Sequence, residues 1–284
     1  MFDDITGDEL IAQILMEHVG RFADDASIRY CYLVVEGADD MRLLQSYVNK
    51  NVVSIVPGGG KSSVLNCLAA KDNEGMSVHV VGLVDRDGDQ TPGHSGNLVR
   101  TDYYDLDAEI LAHSNVLDRV YINHCAKSKI ETFIVGALRM RVHSMLRDFS
   151  LLRIASKREG WDLAFRKLSL QNLYDSVVGD IDRRKLIGKL AENSAEIHAS
   201  QIEDLLNREL AETGDWSRMV SGHDIAKAYA LLLREEGGVS FKPELVEKMF
   251  RSALWPHEFI NTPVFTLLSA WATDNDIDFW AAVA

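Results

Sequence analysis

The chain has 284 residues, of which 46% are hydrophobic and 26% are charged, a balance typical of a globular protein with one large domain or two smaller ones. The formal net charge of −13 argues against a protein that coats nucleic acid by bulk electrostatics, but it does not exclude a site in which divalent cations join carboxylates to a phosphodiester. No stretch approaches the roughly 18 apolar residues of a membrane helix, and the acidic N-terminus is unlike a signal peptide, so we expect a cytoplasmic protein without membrane contact.

The first part of the chain predicts a helix followed by alternating strands and helices. Residues 8–22 repeat apolar positions at helical spacing. From Ile28, short apolar runs bounded by Gly or Asp follow, and the run RVYIN around Val120 closes this series. Three of the runs are candidates for buried strands, namely YCYLVVEG, VVSIVPGGG and SVHVVGLVDRDGD. This pattern indicates an α/β domain with a mainly parallel sheet over residues 1–126.

The second part of the chain has a different pattern. From about Lys127 onward the strand candidates stop, and long segments with helical spacing of apolar residues continue to the end. We therefore predict an all-helical domain over residues 127–284, with the domain boundary near residue 126.

Acidic residues follow two of the predicted strands. Glu36 ends the first apolar run, and Asp85 and Asp87 follow the third, pointing to the same side if that strand continues. In an open parallel sheet the functional crevice lies outside the carboxyl ends of the strands. Each motif alone could be an acidic turn. Together they predict a cation site, and because the ligands are oxygens only, the cation would be Mg²⁺ or Mn²⁺.

These motifs resemble those of a known domain. A strand that ends in Glu36-Gly37 with Asp40 in the next helix, followed about fifty residues later by hydrophobic-Asp-x-Asp, is similar to the Toprim domain of topoisomerases, primases and OLD-type nucleases. The resemblance spans residues 28–120. Residues 101–107 further resemble the Thr-x-Tyr-Tyr-x-x-Glu pattern of a Toprim-like family that includes the effector nuclease of the PARIS phage-defence system, with Asp107 in place of the glutamate.

The resemblance implies a metal-dependent nuclease that cleaves DNA or RNA, tRNA included, as an anti-phage effector. Glu36 would be a metal ligand or general acid/base, and Asp85 and Asp87 would hold the ion. The further ligands that it implies are Asp40, Asp105 and Asp107. It also implies a nucleic acid substrate, an ATPase partner encoded nearby and a homo-oligomer.

Phosphodiester cleavage also needs positive charge near the phosphate. The first candidate is Lys61 in the turn PGGGKSS, which is not a P-loop because Ile55 stands where that motif needs glycine. The amides of the turn could still meet a phosphate. The other candidates, each of which could equally be a solvated surface cation, are Arg86, Lys127 and Lys129.

Two alternative functions remain open. Residues 83–88 also resemble the first motif of HAD phosphatases, with Asp85 as the nucleophile, although that motif normally lies on the first strand and here two strands precede it. The chain could also be a non-catalytic Toprim-like partner or sensor module whose helical part docks a second subunit or an ATPase. The late motif Ser221-Gly222-His223-Asp224 matches the defence family too, and its spacing predicts a helix capping box.

Overall fold

The computed structural model describes residues 6–24, 28–74, 78–89, 94–130, 134–194, 197–212 and 214–281. It divides into two compact units, the first comprising residues 1–106 and 255–284 and the second residues 107–254. The boundary expected near residue 126 therefore lies inside the second unit. None of the helices in the described ranges is both long and apolar enough to cross a lipid bilayer.

The first unit contains an α/β sheet with the three predicted strands and two further short strands that were not predicted. Its elements up to residue 100 are α1 (Gly7–Asp24), β1 (Cys31–Val35), α2 (Ala38–Leu44), β2 (Val53–Pro57), α3 (Lys61–Glu74), β3 (His79–Val84), β4 (His94–Ser95) and β5 (Leu98–Arg100). The strand order is β2-β1-β3-β5-β4, with the first four strands parallel and β4 antiparallel at the edge. Every residue of β1 is buried, as expected for a parallel strand covered on both faces.

The register of the central strands aligns their carboxyl ends. Val35 of β1 pairs with Leu83 of β3 on one side and with Pro57 of β2 on the other. The residues that follow these strands therefore emerge at one edge of the sheet. Beneath them, Leu10 and Ile14 of α1 pack into one buried cluster with the sheet.

The second unit is mainly helical, but it also has a two-stranded antiparallel sheet between residues 174 and 181, contrary to the all-helical prediction. Its elements are α4 (Leu106–His113), which begins at the last residue of the first unit, α5 (Val116–His124), α6 (Lys127–Ile130), α7 (Ala137–Arg158), α8 (Leu170–Leu173), β6 (Tyr174–Asp175), β7 (Asp180–Ile181), α9 (Arg183–Asn193), α10 (Ala199–Glu212), α11 (Gly222–Glu235) and α12 (Pro243–Ala253). The long helix α7 packs against α10 and α11. The RVYIN run forms part of α5 because a short apolar run fits a buried helix as well as a strand.

The end of the chain returns to the first unit through α13 (Pro256–Phe259) and α14 (Pro263–Asp274). Trp271 donates from Nε1 to Oδ1 of Asn97 at 3.1 Å. The amide of Asn49 donates to the carbonyl of Phe279 at 2.9 Å. These long-range bonds explain why the last segment belongs to the α/β unit, although its sequence pattern continues that of the helical part.

Candidate acidic active site

Glu36 and Asp85 meet at the carboxyl edge of the sheet. Glu36 follows β1 directly, and Asp85 follows β3, the neighbouring parallel strand. Oε1 of Glu36 accepts a hydrogen bond from the backbone amide of Asp85 at 2.8 Å. The structure thus brings together two acids that the sequence assigned to the ends of two predicted strands.

The environment of Asp85 disfavours a charged carboxylate. Burial and, to a lesser extent, the nearby carboxylates of Asp105, Asp40 and Glu36 together raise the pKa of Asp85 to about 9. One bond opposes this trend, because Oδ1 of Asp85 accepts from the amide of Leu106 at 3.1 Å. Burial also raises the pKa of Glu36 above its ordinary value, although the hydrogen bond from Asp85 lowers it. Both acids therefore lie where added positive charge would be strongly favourable.

Asp87 does not continue the strand, contrary to the alternation expected from the sequence. The strand β3 ends at Val84, and Asp87 has a left-handed backbone with φ of 54°. Its carboxylate accepts from the ammonium of Lys61 at 3.2 Å. Its charge still reaches Glu36, whose pKa it raises. Asp87 is thus near the Glu36–Asp85 pair but is held by a cation from the protein itself.

Lys61, the first residue of α3, binds the loop that follows β3. Its ammonium donates to the carbonyl of Asp85 at 2.7 Å, to Asp87 as above, and to Oδ2 of Asp89 at 3.1 Å. Burial opposes the charge on Lys61, but the bonds to Asp89 and Asp87 outweigh it and raise the pKa of the ammonium. The sequence pointed to Lys61 as a phosphate contact, whereas the structure engages it with acids. Sequence reasoning gave Asp89 no role, and the acidic motif DRDGD was the feature that could have pointed to it.

The segment before α4 wraps around the same loop. The hydroxyl of Thr101 accepts from the amide of Arg86 at 2.9 Å and donates to the carbonyl of Tyr103 at 2.7 Å. The amide of Asp87 donates to the carbonyl of Tyr104 at 2.9 Å. Thr101 is only 1% exposed, so its hydroxyl is an internal support for the site. The sequence motif TDYY pointed to this segment as part of the site, but the role of the threonine hydroxyl is visible only in the structure.

Arg86, a candidate phosphate contact, is directed toward the backbone instead. Its Nε donates to the carbonyl of Asp89 at 2.6 Å, and its Nη1 donates to the carbonyl of Asp102 at 2.8 Å. Arg86 therefore joins the loop after β3 to the segment after β5. The other two basic candidates, Lys127 and Lys129, belong to the second unit, and the side chain of Lys127 lies outside the described residues.

The three acids expected as further ligands have different surroundings. Oδ2 of Asp40 accepts from the amide of Gly37 at 3.0 Å, which places it at the start of α2. Asp40 and Asp105 both act on Asp85 through the pKa effect described above. Asp107 lies in the second unit, where its two oxygens accept from Nε and Nη2 of Arg251 at 3.1 and 2.6 Å. Both oxygens of the Asp107 carboxylate are thus already bound to the guanidinium of Arg251.

An open crevice of about 400 Å³ lies beside Glu36. It is lined by Glu36, Gly37, Ala38, Asp40, Pro57, Gly59 and Gly60. Gly59 and Gly60 have positive φ values of 79° and 129°, a backbone that side-chain-bearing residues rarely adopt. The glycine turn therefore gives the crevice a wall of bare backbone next to Glu36.

The residues of this site fit a hydrated hard cation. Among the described residues, no three Asp, Glu, His or Cys side chains are already arranged around one ion. Mg²⁺, however, usually keeps several waters and needs only one or two carboxylates from the protein. Glu36 and Asp85 supply oxygen ligands alone, and within the described ranges neither makes an ion pair. These two residues would hold the ion.

The Ser221–Asp224 motif does not form the expected capping box, and its acid makes an ion pair between two helices instead. Ser221 precedes α11, but within the described part of the chain its hydroxyl caps no amide of that helix. Asp224 is buried and pairs with Arg153 at 2.5 Å, joining α11 to α7. His223 contacts Glu247 through Nδ1. The acid of the motif thus contributes a helix-to-helix ion pair.

A scan of the sequence against models of known protein families gives no match, and a search of curated proteins gives none either. The geometry of the acidic site and the motifs that build it are therefore the grounds on which a function can be proposed.

Proposed function

We propose that the protein is a divalent-cation-dependent nuclease with a Toprim-like site, cleaving phosphodiester bonds of DNA or RNA. The observation that supports this most strongly is the pairing of Glu36 with Asp85 at the carboxyl edge of a parallel sheet. Burial raises the pKa of both carboxyl groups, and the charges of nearby acids raise both further. A hard cation relieves such repulsion, and nucleic acid phosphates are ligands that such cations share with carboxylates.

The proposed roles follow from the surroundings of each group. A bound divalent cation would polarise the phosphate and activate water. Glu36 and Asp85 would hold that ion. Because its pKa is raised, Glu36 would also be suited to take a proton from the attacking water or to return one to the leaving oxygen. The crevice beside Glu36, with its glycine wall, gives a nucleotide phosphate access to this carboxylate.

The biological setting is a proposal drawn from the Toprim-like motifs alone. By that resemblance the protein would be a cytoplasmic anti-phage effector that acts as a homo-oligomer with an ATPase encoded nearby. Co-expression with the product of a neighbouring ATPase gene, followed by purification on one tagged partner, would test this. Recovery of both chains together supports the proposal, and recovery of the tagged chain alone counts against it.

A cleavage assay tests the enzymatic proposal. The purified protein is incubated with DNA, RNA and tRNA in Mg²⁺ or Mn²⁺ and, in parallel, in a chelator. Wild type should cleave at least one substrate only with the cation, while folded Glu36→Gln and Asp85→Asn should be at least ~100-fold slower. Equal behaviour of all three proteins would contradict the proposal. A trappable phospho-aspartate at Asp85 with small phosphate esters would support the HAD-like alternative instead.

A further inference from the structure

The acids around the loop after β3 fall into two groups with different counter-charges. Asp87 and Asp89 both accept hydrogen bonds from the ammonium of Lys61. Glu36 and Asp85 accept from backbone amides only, and within the described residues neither makes an ion pair. Within the described residues, one group therefore makes ion pairs with a cation of the protein, and the other does not.

The Lys61 ammonium is surrounded by oxygen atoms at hydrogen-bond distances. Its nearest partners are oxygens from three residues, at 2.7 Å from the carbonyl of Asp85, 3.2 Å from Asp87 and 3.1 Å from Asp89. A longer bond of 3.4 Å reaches the carbonyl of Arg86. A mixture of carboxylate and carbonyl oxygens is what a hard cation collects in proteins. Lys61 thus occupies a position that is built for a cation.

Backbone geometry holds this arrangement in place. Lys61 follows the glycine turn directly, and its side chain is only 22% exposed. The left-handed conformation of Asp87 interrupts the strand alternation and accompanies the contact of its carboxylate with Lys61. A solvated surface lysine would have neither the burial nor four oxygen partners. The contact is therefore a fixed part of the site.

We propose that Lys61 takes the place of a second divalent cation, so that each chain binds one divalent ion, at Glu36 and Asp85. The inference rests on the proposed function, since it concerns the ion of that site. Asp85 connects the two positions, because its carbonyl binds Lys61 and its carboxyl group lies beside Glu36. Two-metal sites place their ions about 3.5–4 Å apart. In this proposal the ammonium of Lys61 supplies the positive charge of the second position, beside Asp87 and Asp89.

The test is a count of bound Mn²⁺ ions per chain by electron paramagnetic resonance, which detects free Mn²⁺ and requires no cleavage. Wild type should bind one ion. Lys61→Met and Lys61→Gln, which remove the charge, should each bind two, whereas Lys61→Arg should bind one. Lys50→Met, which removes an exposed positive charge elsewhere in the same unit, is the matched control and should bind one. Circular dichroism establishes that each variant is folded.

The outcomes separate this inference from the proposed function. Two ions on wild type, or one ion on folded Lys61→Met and Lys61→Gln, would overturn the role of Lys61 and leave the nuclease proposal intact. No ion on wild type but one on Lys61→Met would support the role of Lys61 and contradict a metal site at Glu36 and Asp85. No ion on either protein would overturn both. If neither neutral variant folds, the count on wild type decides, with one ion in favour and two against.

Discussion

The carboxylate of Glu36 accepts a hydrogen bond from the backbone amide of Asp85, a residue 49 positions away, at 2.8 Å. The bond follows from the register that pairs Val35 with Leu83, because the residues after those partners leave the sheet side by side. Since the amide belongs to the loop that Lys61 also binds, the side chain of Glu36 is coupled to the geometry of that loop. Four predictions follow from the contacts around this pair and in the helical unit.

Asp85→Asn should stabilise the protein at neutral pH in a chelator. The pKa of Asp85 is raised to about 9 by burial and by neighbouring acids, so ionisation of this group opposes folding at pH 7. Asparagine keeps an oxygen for the Leu106 amide and removes the ionisable group. We expect a gain of at least ~1 kcal/mol in the free energy of unfolding, since one pKa unit corresponds to about 1.4 kcal/mol.

The same variant should lose the stabilisation that Mg²⁺ gives to wild type. Chemical unfolding with and without Mg²⁺ measures both effects. Asp39→Asn, an exposed acid on α2, is the control and should keep the Mg²⁺ effect. A less stable Asp85→Asn protein that still responds to Mg²⁺ would show that Asp85 is a structural residue.

Thr101→Val should destabilise the protein by about 2 kcal/mol. Valine has the same shape but leaves the amide of Arg86 and the carbonyl of Tyr103 without the partly buried hydroxyl that bonds them. Thr273→Val removes an exposed hydroxyl that donates to the carbonyl of Ser269 in the same helix, and it should change stability by less than ~0.5 kcal/mol. Equal stability of the two variants, measured by urea unfolding, would mean that the Thr101 hydroxyl does not support the loop.

Asp107 should act through Arg251 and not through the metal. The two side chains form a two-point ion pair in the second unit and are 30% and 22% exposed. A double-mutant cycle with Asp107→Asn and Arg251→Gln should give a coupling energy of about 1 kcal/mol. The Mg²⁺ affinity of Asp107→Asn should remain within about twofold of wild type. A loss of Mg²⁺ binding as large as that of Asp85→Asn would restore Asp107 as a ligand.

His143 should make the helical unit sensitive to acid. Burial, together with the charge of Arg139, lowers the pKa of His143 from 6.5 to about 4, although Asp215 opposes the shift. Between these values the unfolded chain binds a proton that the folded protein does not, so stability falls as the pH drops from 6.5 to 4. The slope is at most about 1.4 kcal/mol per pH unit.

Chemical unfolding across this pH range tests the role of His143. His143→Gln should reduce the slope, whereas His198→Gln, which changes an exposed histidine of the same unit, should leave it unchanged. Equal slopes for the two variants would contradict the assignment.

The parallel sheet and the two acids Glu36 and Asp85 could be predicted from the sequence. Apolar runs that end in acids mark strand ends, and parallel strands align those ends at one edge. This reasoning predicted the α/β class with a parallel sheet and the helical pattern that follows. It also predicted that Glu36 and Asp85 converge if their strands are neighbours, and in the structure the two strands are neighbours.

The hydrogen-bond partners of Lys61, and the fact that the end of the chain belongs to the first unit, could not be predicted from the sequence. Lys61 reaches Asp89 across 28 positions, in a loop where Asp87 has a left-handed backbone. A rule of strand alternation cannot anticipate such a residue. Trp271 bonds to Asn97 across 174 positions, and its local helical pattern is the same as that of the helices in the second unit. Local patterns predict elements well, but they do not identify distant partners.

The most direct test of the central claim combines Mg²⁺ binding and cleavage on the same protein samples. Calorimetry measures Mg²⁺ affinity, and cleavage of labelled DNA, RNA and tRNA measures activity, for wild type, Glu36→Gln, Asp85→Asn and the Asp39→Asn control. We predict that wild type and the control bind Mg²⁺ and cleave the same substrate, and that the two site variants fold but lose both properties together. Cleavage that persists in folded Glu36→Gln and Asp85→Asn would contradict a nuclease site at these two residues.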